Sequence, residues 1–187
     1  MTSSATFSVA LANEAATAHL MADLALLIGP GAVITLSGDL GAGKTAAARA
    51  MIRYLADDEA IEVPSPTFTL AQDYDMPLFP VVHADLYRVN DPAELDEIGL
   101  SPLPDGTVAL IEWPERAGGA LPPDRIDIAF SHRPALGSNA RAAEFTGHDH
   151  VHLRRIRRSD HHAQQALVHH LPRDLIRDEH DLRILRS

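Results

Sequence analysis

Gly38-Asp39-Leu40-Gly41-Ala42-Gly43-Lys44-Thr45 is the stretch that decides the fold. It fits G-x-x-x-x-G-K-[ST], a glycine-rich loop whose backbone cradles phosphates. The run before it, Ala32-Val33-Ile34-Thr35-Leu36, reads as a short buried strand. After it, Ala48, Met51, Ile52 and Leu55 recur at i, i+3, i+4 and i+7, the period of an amphipathic helix. A polyphosphate needs many donors close together. Glycines at 38, 41 and 43 permit backbone angles and a close approach that a side chain would block. The loop amides then meet the phosphates at the positive end of the following helix. Lys44 is expected to reach the β- and γ-oxygens, and the Thr45 hydroxyl to ligate Mg²⁺. Lys44 is also the chain's single lysine; the other fifteen basic residues are arginine.

At 187 residues the chain suits one ordinary domain with an appendage. The net charge of −10 gives no bulk attraction for nucleic acid. With no cysteine there is neither a disulfide framework nor a thiolate metal site. No lysine or arginine precedes Lys44, so neither a secretory nor a transit peptide is expected. The longest apolar stretch, Leu24 to Leu36, is interrupted by Gly29-Pro30-Gly31 and is too short for a bilayer. The expectation is a cytoplasmic protein without membrane contact.

Outward from the loop, Thr6 to Leu11 reads as a first strand. Asn13 then caps a helix with an apolar face of Leu20, Met21, Leu24, Leu27 and Ile28, ended by Gly29-Pro30. Val63-Pro64-Ser65-Pro66-Thr67-Phe68 carries two prolines and reads as an extended loop. Phe68 to Tyr74 and Phe79 to Ala84 read as strands joined by a turn. Asp91-Pro92-Ala93-Glu94 has the form of a capping box opening a short helix that stops at Gly99. Thr107 to Ile111, Arg125 to Phe130 and Arg141 to Thr146 complete the strands. The composition changes near Gly147: residues 1–147 hold 20 acids and 8 basic residues, a net of −12, whereas 148–187 hold 6 acids, 8 arginines and 8 of the 11 histidines. We therefore divide the chain into a domain over 1–147 and a His/Arg-rich extension over 148–187, expected to be weakly ordered or helical.

A phosphate loop of this kind needs a carboxylate opposite its threonine to hold Mg²⁺. Two hydrophobic runs end in one: Val81-Val82-His83-Ala84-Asp85 and Val108-Ala109-Leu110-Ile111-Glu112. Ligands of open α/β sheets collect at such carboxyl ends. Glu112 follows the cleaner apolar run and is the favoured Mg²⁺ residue. Asp85 then holds an outer water or polarises the attacking one. The plainer reading of either acid is a cap on the next element. The Ser65-Pro66-Thr67 loop offers a hydroxyl that senses the γ-phosphate, as switch loops do, or is a rigid connector. Trp113 is read equally as local packing or as a contact near the nucleotide.

Taken together, GDLGAGKT at 38–45, VPSPTF at 63–68, HADLYR at 83–88, DEIGL at 96–100 and IEWPER at 111–116 resemble the TsaE family over roughly residues 5–147. The resemblance implies a P-loop α/β three-layer sandwich with a mixed, mainly parallel sheet. It implies ATP and Mg²⁺ as cofactors, bound by Gly38, Asp39, Leu40, Gly41, Ala42, Gly43, Lys44 and Thr45, with Thr45 and Glu112 on the metal. Lys44, Asp85, Glu112 and Thr67 become the catalytic set. The implied partners are TsaB and TsaD, which modify adenosine 37 of tRNAs reading codons that begin with A, so that tRNA is met only through that complex.

The departure from the family's pattern is the extension, with Arg154-Arg155-Ile156-Arg157-Arg158, His pairs at 161–162 and 169–170, and helical character from Ala163 to Leu171. It suggests a solvated tail, an RNA-touching basic segment, or a histidine metal site. Two rival functions share the loop. A small-molecule kinase normally carries an arginine-rich lid, and the seven arginines at 49, 53, 88, 116, 125, 133 and 141 form no cluster. Against a regulatory nucleotide-binding module without turnover, Asp85 and Glu112 together favour hydrolysis.

Overall fold

The computed structural model describes residues 5–147. The extension, with its arginine cluster and histidine pairs, lies outside the described residues. Seven strands form one sheet: β1 (Ala5–Leu11), β2 (Val33–Ser37), β3 (Ala71–Tyr74), β4 (Val81–Asp85), β5 (Val108–Glu112), β6 (Ile126–His132) and β7 (Arg141–Gly147), in the order β1-β7-β6-β2-β5-β4-β3. The central strands β6, β2, β5 and β4 are mutually parallel, and β7 and β3 are antiparallel to their neighbours. Because β1 pairs antiparallel with β7, it runs with the central four. Five of the seven strands thus share one direction, and the sheet is mixed but mainly parallel.

Both faces of this sheet are covered. Helices α1 (Glu14–Ala25) and α2 (Lys44–Ala56) pack on one face over Ile34, Leu36, Val81, Val108, Leu110, Ile128 and Phe145. The other face buries Val33, Val82, Ala84, Ala109 and Ile111 under irregular chain and the four-residue helix α3 (Glu94–Glu97). This third layer is thin, made mostly of loop anchored by Leu86, Val89, Leu95, Leu100 and Leu121. Alternate residues of β4 and β5 go to opposite faces, as strand geometry requires. His83 and Asp85 therefore share the α1/α2 face with Val81, and Glu112 shares it with Val108 and Leu110.

Local chemistry accounts for the element ends, including those displaced from the sequence-based expectation. The Asn13 carboxamide accepts from Ala16 N–H at 2.9 Å and starts α1. That helix stops at Ala25, so Leu27 and Ile28 pack on the core from a turn and not from the helix. The strand expected from Phe68 starts only at Ala71. Phe68 and its neighbours are held in a turn by Leu70 N–H on Pro66 O at 2.7 Å, with Leu70 left-handed at φ 64°. β4 starts at Val81 rather than Phe79; Pro80 has no N–H to offer, and its carbonyl accepts from Val108 at 2.9 Å. The expected capping box forms only in its reach-back half, and the N-cap is Ala93 rather than Asp91. Glu94 Oε1 accepts from Asp91 N–H at 2.9 Å and Asp91 Oδ1 from Ala93 N–H at 3.0 Å, although the α-helical turns begin at Glu94.

The phosphate-loop glycines are conformationally required. Gly38, Gly41 and Gly43 have φ of 128°, 78° and 107°. A Cβ on Gly38 would run into the Phe130 carbonyl of β6, whereas one on Gly41 would meet open space. Gly41→Ala should therefore lose only the backbone penalty, about 1–2 kcal/mol. Gly38→Ala should lose clearly more, since β6 must also move. Urea unfolding of the two variants beside the parent protein measures this; equal losses would mean that the β6 contact does not constrain the loop.

Candidate functional site

The site lies where the carboxyl ends of β2, β4 and β5 meet the start of α2. β2 delivers the chain into the glycine loop after Ser37, and α2 begins at Lys44. The first N–H groups of a helix have no partner within it and face whatever sits at that end. In the β4–β5 register Asp85 stands directly beside Glu112. The two acids picked out at strand ends are thus neighbours, one strand apart, beneath the loop.

Glu112 is 2% exposed and His83 fully buried. The Thr45 hydroxyl donates to Glu112 Oε2 at 3.0 Å, and His83 Nε2 lies 2.9 Å from Glu112 Oε1. A carboxylate removed from water requires such partners on both oxygens. Thr45 and Glu112, expected to act together, are therefore in contact. His83 is the residue that sequence reasoning passed over. Its signal was available: a histidine in an apolar strand, two residues before Asp85 and so on the same face.

Lys44 is also buried. Its ammonium donates to Gly38 O at 2.6 Å and Asp39 O at 2.9 Å, both carbonyls of its own loop. It also lies 3.7 Å from the centre of the Trp113 ring. Burial pushes its pKa below the ordinary lysine value, and the negative charges of Glu112, Glu115, Asp85 and Asp39 oppose that shift. Trp113 is left-handed at φ 58°, between β5 and the turn Pro114–Ala117, and its ring also meets Tyr87 at 4.9 Å. The single tryptophan is accordingly a site residue that covers the lysine.

Asp85, 3% exposed, has a different set of partners. Its Oδ2 accepts from Ser65 Oγ at 2.9 Å and Thr67 Oγ1 at 2.6 Å, and its Oδ1 from Tyr87 N–H at 3.0 Å. Asp85 thus fastens the double-proline loop to the strand end beside Glu112. Thr67 is in the site through this bond, while Phe68 next to it is largely exposed, with the Arg88 guanidinium over its ring at 5.2 Å. The loop residues Asp39 and Leu40 are exposed, and Ala42 is buried.

Hard oxygen donors set in this way suit a small hard cation. One hydroxyl and one carboxylate are too few for an all-protein cage, and among the described residues no three acids or histidines gather into one. Mg²⁺ is normally held by one or two protein oxygens completed by substrate phosphates and water. Thr45 and Glu112 fit that demand.

Comparison with known proteins bears on the family and the fold. The family model for "Threonylcarbamoyl adenosine biosynthesis protein TsaE" matches residues 11–141. The chain is similar to tRNA threonylcarbamoyladenosine biosynthesis protein TsaE of Rickettsia bellii, 37% identical over 118 residues, covering 63% of this chain and 81% of that protein. It is 36% identical over 118 residues to the protein of the same name from Bacillus subtilis, covering 63% of this chain and 70% of that one. The crystal structure of Bacillus subtilis YdiB superposes with a TM-score of 0.68 at 27% identity, covering 84% of this chain and 98% of that chain.

Removing the hydroxyls that hold the double-proline loop should loosen it selectively. In Ser65→Ala/Thr67→Val, Asp85 Oδ2 loses both partners, and backbone amides from 65 to 70 should exchange hydrogen faster while those of β4 and β5 stay protected. Exchange mass spectrometry reads this directly; unchanged exchange in the loop would show that its prolines alone hold it.

Proposed function

The chain belongs to the TsaE family of threonylcarbamoyl adenosine biosynthesis proteins, and from that premise we propose that it is an Mg²⁺-dependent ATPase. Its hydrolysis of ATP to ADP and phosphate supports the TsaB–TsaD complex in forming threonylcarbamoyladenosine at position 37 of tRNAs reading codons that begin with A. The observation that carries the reading is the Thr45–Glu112 contact of 3.0 Å beneath a complete glycine loop, with Lys44 beside it. A buried carboxylate on the loop threonine is the partner that a phosphate-bound Mg²⁺ would need there.

The residues divide the work by what they touch. The loop from Gly38 to Thr45 surrounds the phosphates, and Lys44 exchanges its bonds with the loop carbonyls for bonds with phosphate oxygens. Thr45 and Glu112 hold the metal, which when bound neutralises charge developing on the phosphate oxygens. Asp85 is in this reading the link between nucleotide and loop: Thr67, released from Oδ2, is free to meet the γ-phosphate, and Asp85 is then free to orient water. The two arginines that follow the strand-end acids, Arg88 and Arg116, lie over the rings of Phe68 and Tyr87. We expect slow hydrolysis by the protein alone and stimulation by the partner complex, which would complete the catalytic constellation. Among the described residues no helix is long and apolar enough to cross a membrane.

The test is ATP hydrolysis with Mg²⁺, measured for the protein alone and with TsaB–TsaD and substrate tRNA. Stimulated hydrolysis together with repeated rounds of tRNA modification is the expected result. Binding without turnover in either setting would favour the regulatory module, and turnover that needs a small-molecule acceptor would favour the kinase. Lys44→Ala should lower kcat/KM by roughly 10²-fold or more, the scale for removal of one transition-state donor. A folded Lys44→Ala protein with parental activity would overturn the assignment. Glu112→Ala should shift the Mg²⁺ dependence of the rate to higher concentration, and an unchanged curve would move the metal to Asp85.

A further inference from the structure

We propose that His83 is a positioning residue for Mg²⁺: its Nε2–H fixes the rotation of the Glu112 carboxylate and so aligns Oε2 with the Thr45 hydroxyl. This deepens the reading given above and rests on it.

The chain of contacts is short. His83 is fully buried on β4 and reaches sideways across the sheet to Glu112 Oε1 at 2.9 Å, while Thr45 holds Oε2 at 3.0 Å. The last bond of a glutamate side chain has a broad torsional well, so nothing intrinsic sets the plane of its carboxylate. Here two donors at opposite oxygens set it. The histidine itself can point only one way. Its Nδ1 is buried with no hydrogen-bond partner among the described residues. A proton on Nδ1 would be a buried donor without an acceptor, so the proton stands on Nε2, facing the carboxylate.

An ordinary core histidine would not need this address. The residues on either side of it along β4 and β5 are apolar, and among the described residues the only side chain it bonds is Glu112. Without that donor the carboxylate has a competing neighbour in Lys44, whose ammonium already feels the Glu112 charge. A carboxylate swung onto Lys44 would leave Thr45 and would also occupy the lysine needed by the phosphates. His83 holds it away from that arrangement.

The test uses the full chain and reads binding, not turnover. Trp113 is the only tryptophan and lies over Lys44, so its fluorescence follows nucleotide at the site. A non-hydrolysable ATP analogue is titrated first in EDTA and then, at fixed nucleotide, with Mg²⁺. His83→Leu keeps bulk and removes the donor, and the Mg²⁺ midpoint should rise about 10- to 100-fold, the usual effect of removing an outer partner of a metal ligand. Metal-free nucleotide affinity should stay close to the parent's. His83→Gln, whose amide nitrogen ends near the place of Nε2, should restore most of the Mg²⁺ response. His83→Asn, whose amide ends near the place of Nδ1, should not, and it provides a polar variant should the leucine one fail to fold. Parental Mg²⁺ midpoints in the leucine and asparagine variants would overturn the proposal. So would equal losses in the glutamine, asparagine and leucine variants, or a loss confined to metal-free affinity, since those are the marks of a packing role. A parent protein with no Mg²⁺ response would overturn the Mg²⁺ reading itself, and this proposal with it.

Discussion

A carboxylate buried at the end of the central parallel strands is the constraint on which the site depends. Taking Glu112 out of water is expensive unless each of its oxygens is given a donor. The fold supplies those donors from two different elements, Thr45 from the first turn of α2 and His83 from β4, with the Lys44 charge nearby. Each arrives only if the sheet order β2-β5-β4 is correct, because β5 must stand between the strand that leads into the loop and the strand that carries His83. The Glu112 backbone joins in as well, its carbonyl accepting from Leu86 N–H at 3.0 Å where the chain leaves β4. The end of β5 therefore ties the glycine loop to the strand end that holds the double-proline loop through Asp85.

Two acids side by side in a strand register would repel if they shared one environment. Here the partner sets are disjoint. Glu112 faces the loop threonine and a histidine, whereas Asp85 takes two hydroxyls of the Ser65-Pro66-Thr67 segment and a backbone N–H. The separation gives two acids in similar settings different work. One is fixed from all sides by regular structure. The other holds a segment that has no regular structure of its own and leads into the four-residue edge strand β3, antiparallel to β4. Irregular segments rearrange at lower cost than paired strands, so in the proposed function the loop on Asp85, and not the Thr45–Glu112 pair, would be the part that moves with ligand.

The parts of this arrangement legible in the sequence were those with a local code. The glycine pattern, the apolar period of α2 and the strand-end acids depend on short-range spacing, and each stands where that spacing put it. What escaped was long-range or ambiguous. His83 in a strand reads as core until its neighbour across the sheet is known, and register is not written in either strand alone. Trp113 covers Lys44 because residue 113 is left-handed, a conformation that a tryptophan before a proline does not announce. The start of β3 slipped from Phe68 to Ala71 because Asp85 draws the loop toward itself, a tertiary pull that overrides the aromatic and β-branched composition there.

The state of Lys44 bears on how such a site works as a switch. Its ammonium already has two hydrogen bonds, to Gly38 O and Asp39 O, and an aromatic face. In the proposed function phosphates would therefore exchange partners with it and would not satisfy an empty donor. An exchanged hydrogen bond contributes far less net free energy than one made from nothing. Affinity from the lysine is correspondingly modest, and the resting arrangement stands ready to take the ammonium back when phosphate leaves. Displacing the lysine from its own loop would also free the carbonyls of Gly38 and Asp39, so in the proposed function nucleotide and loop conformation would be coupled at Lys44. A site built for the tightest retention would leave that donor unpaired; one that must bind and release with each turnover benefits from holding it in reserve.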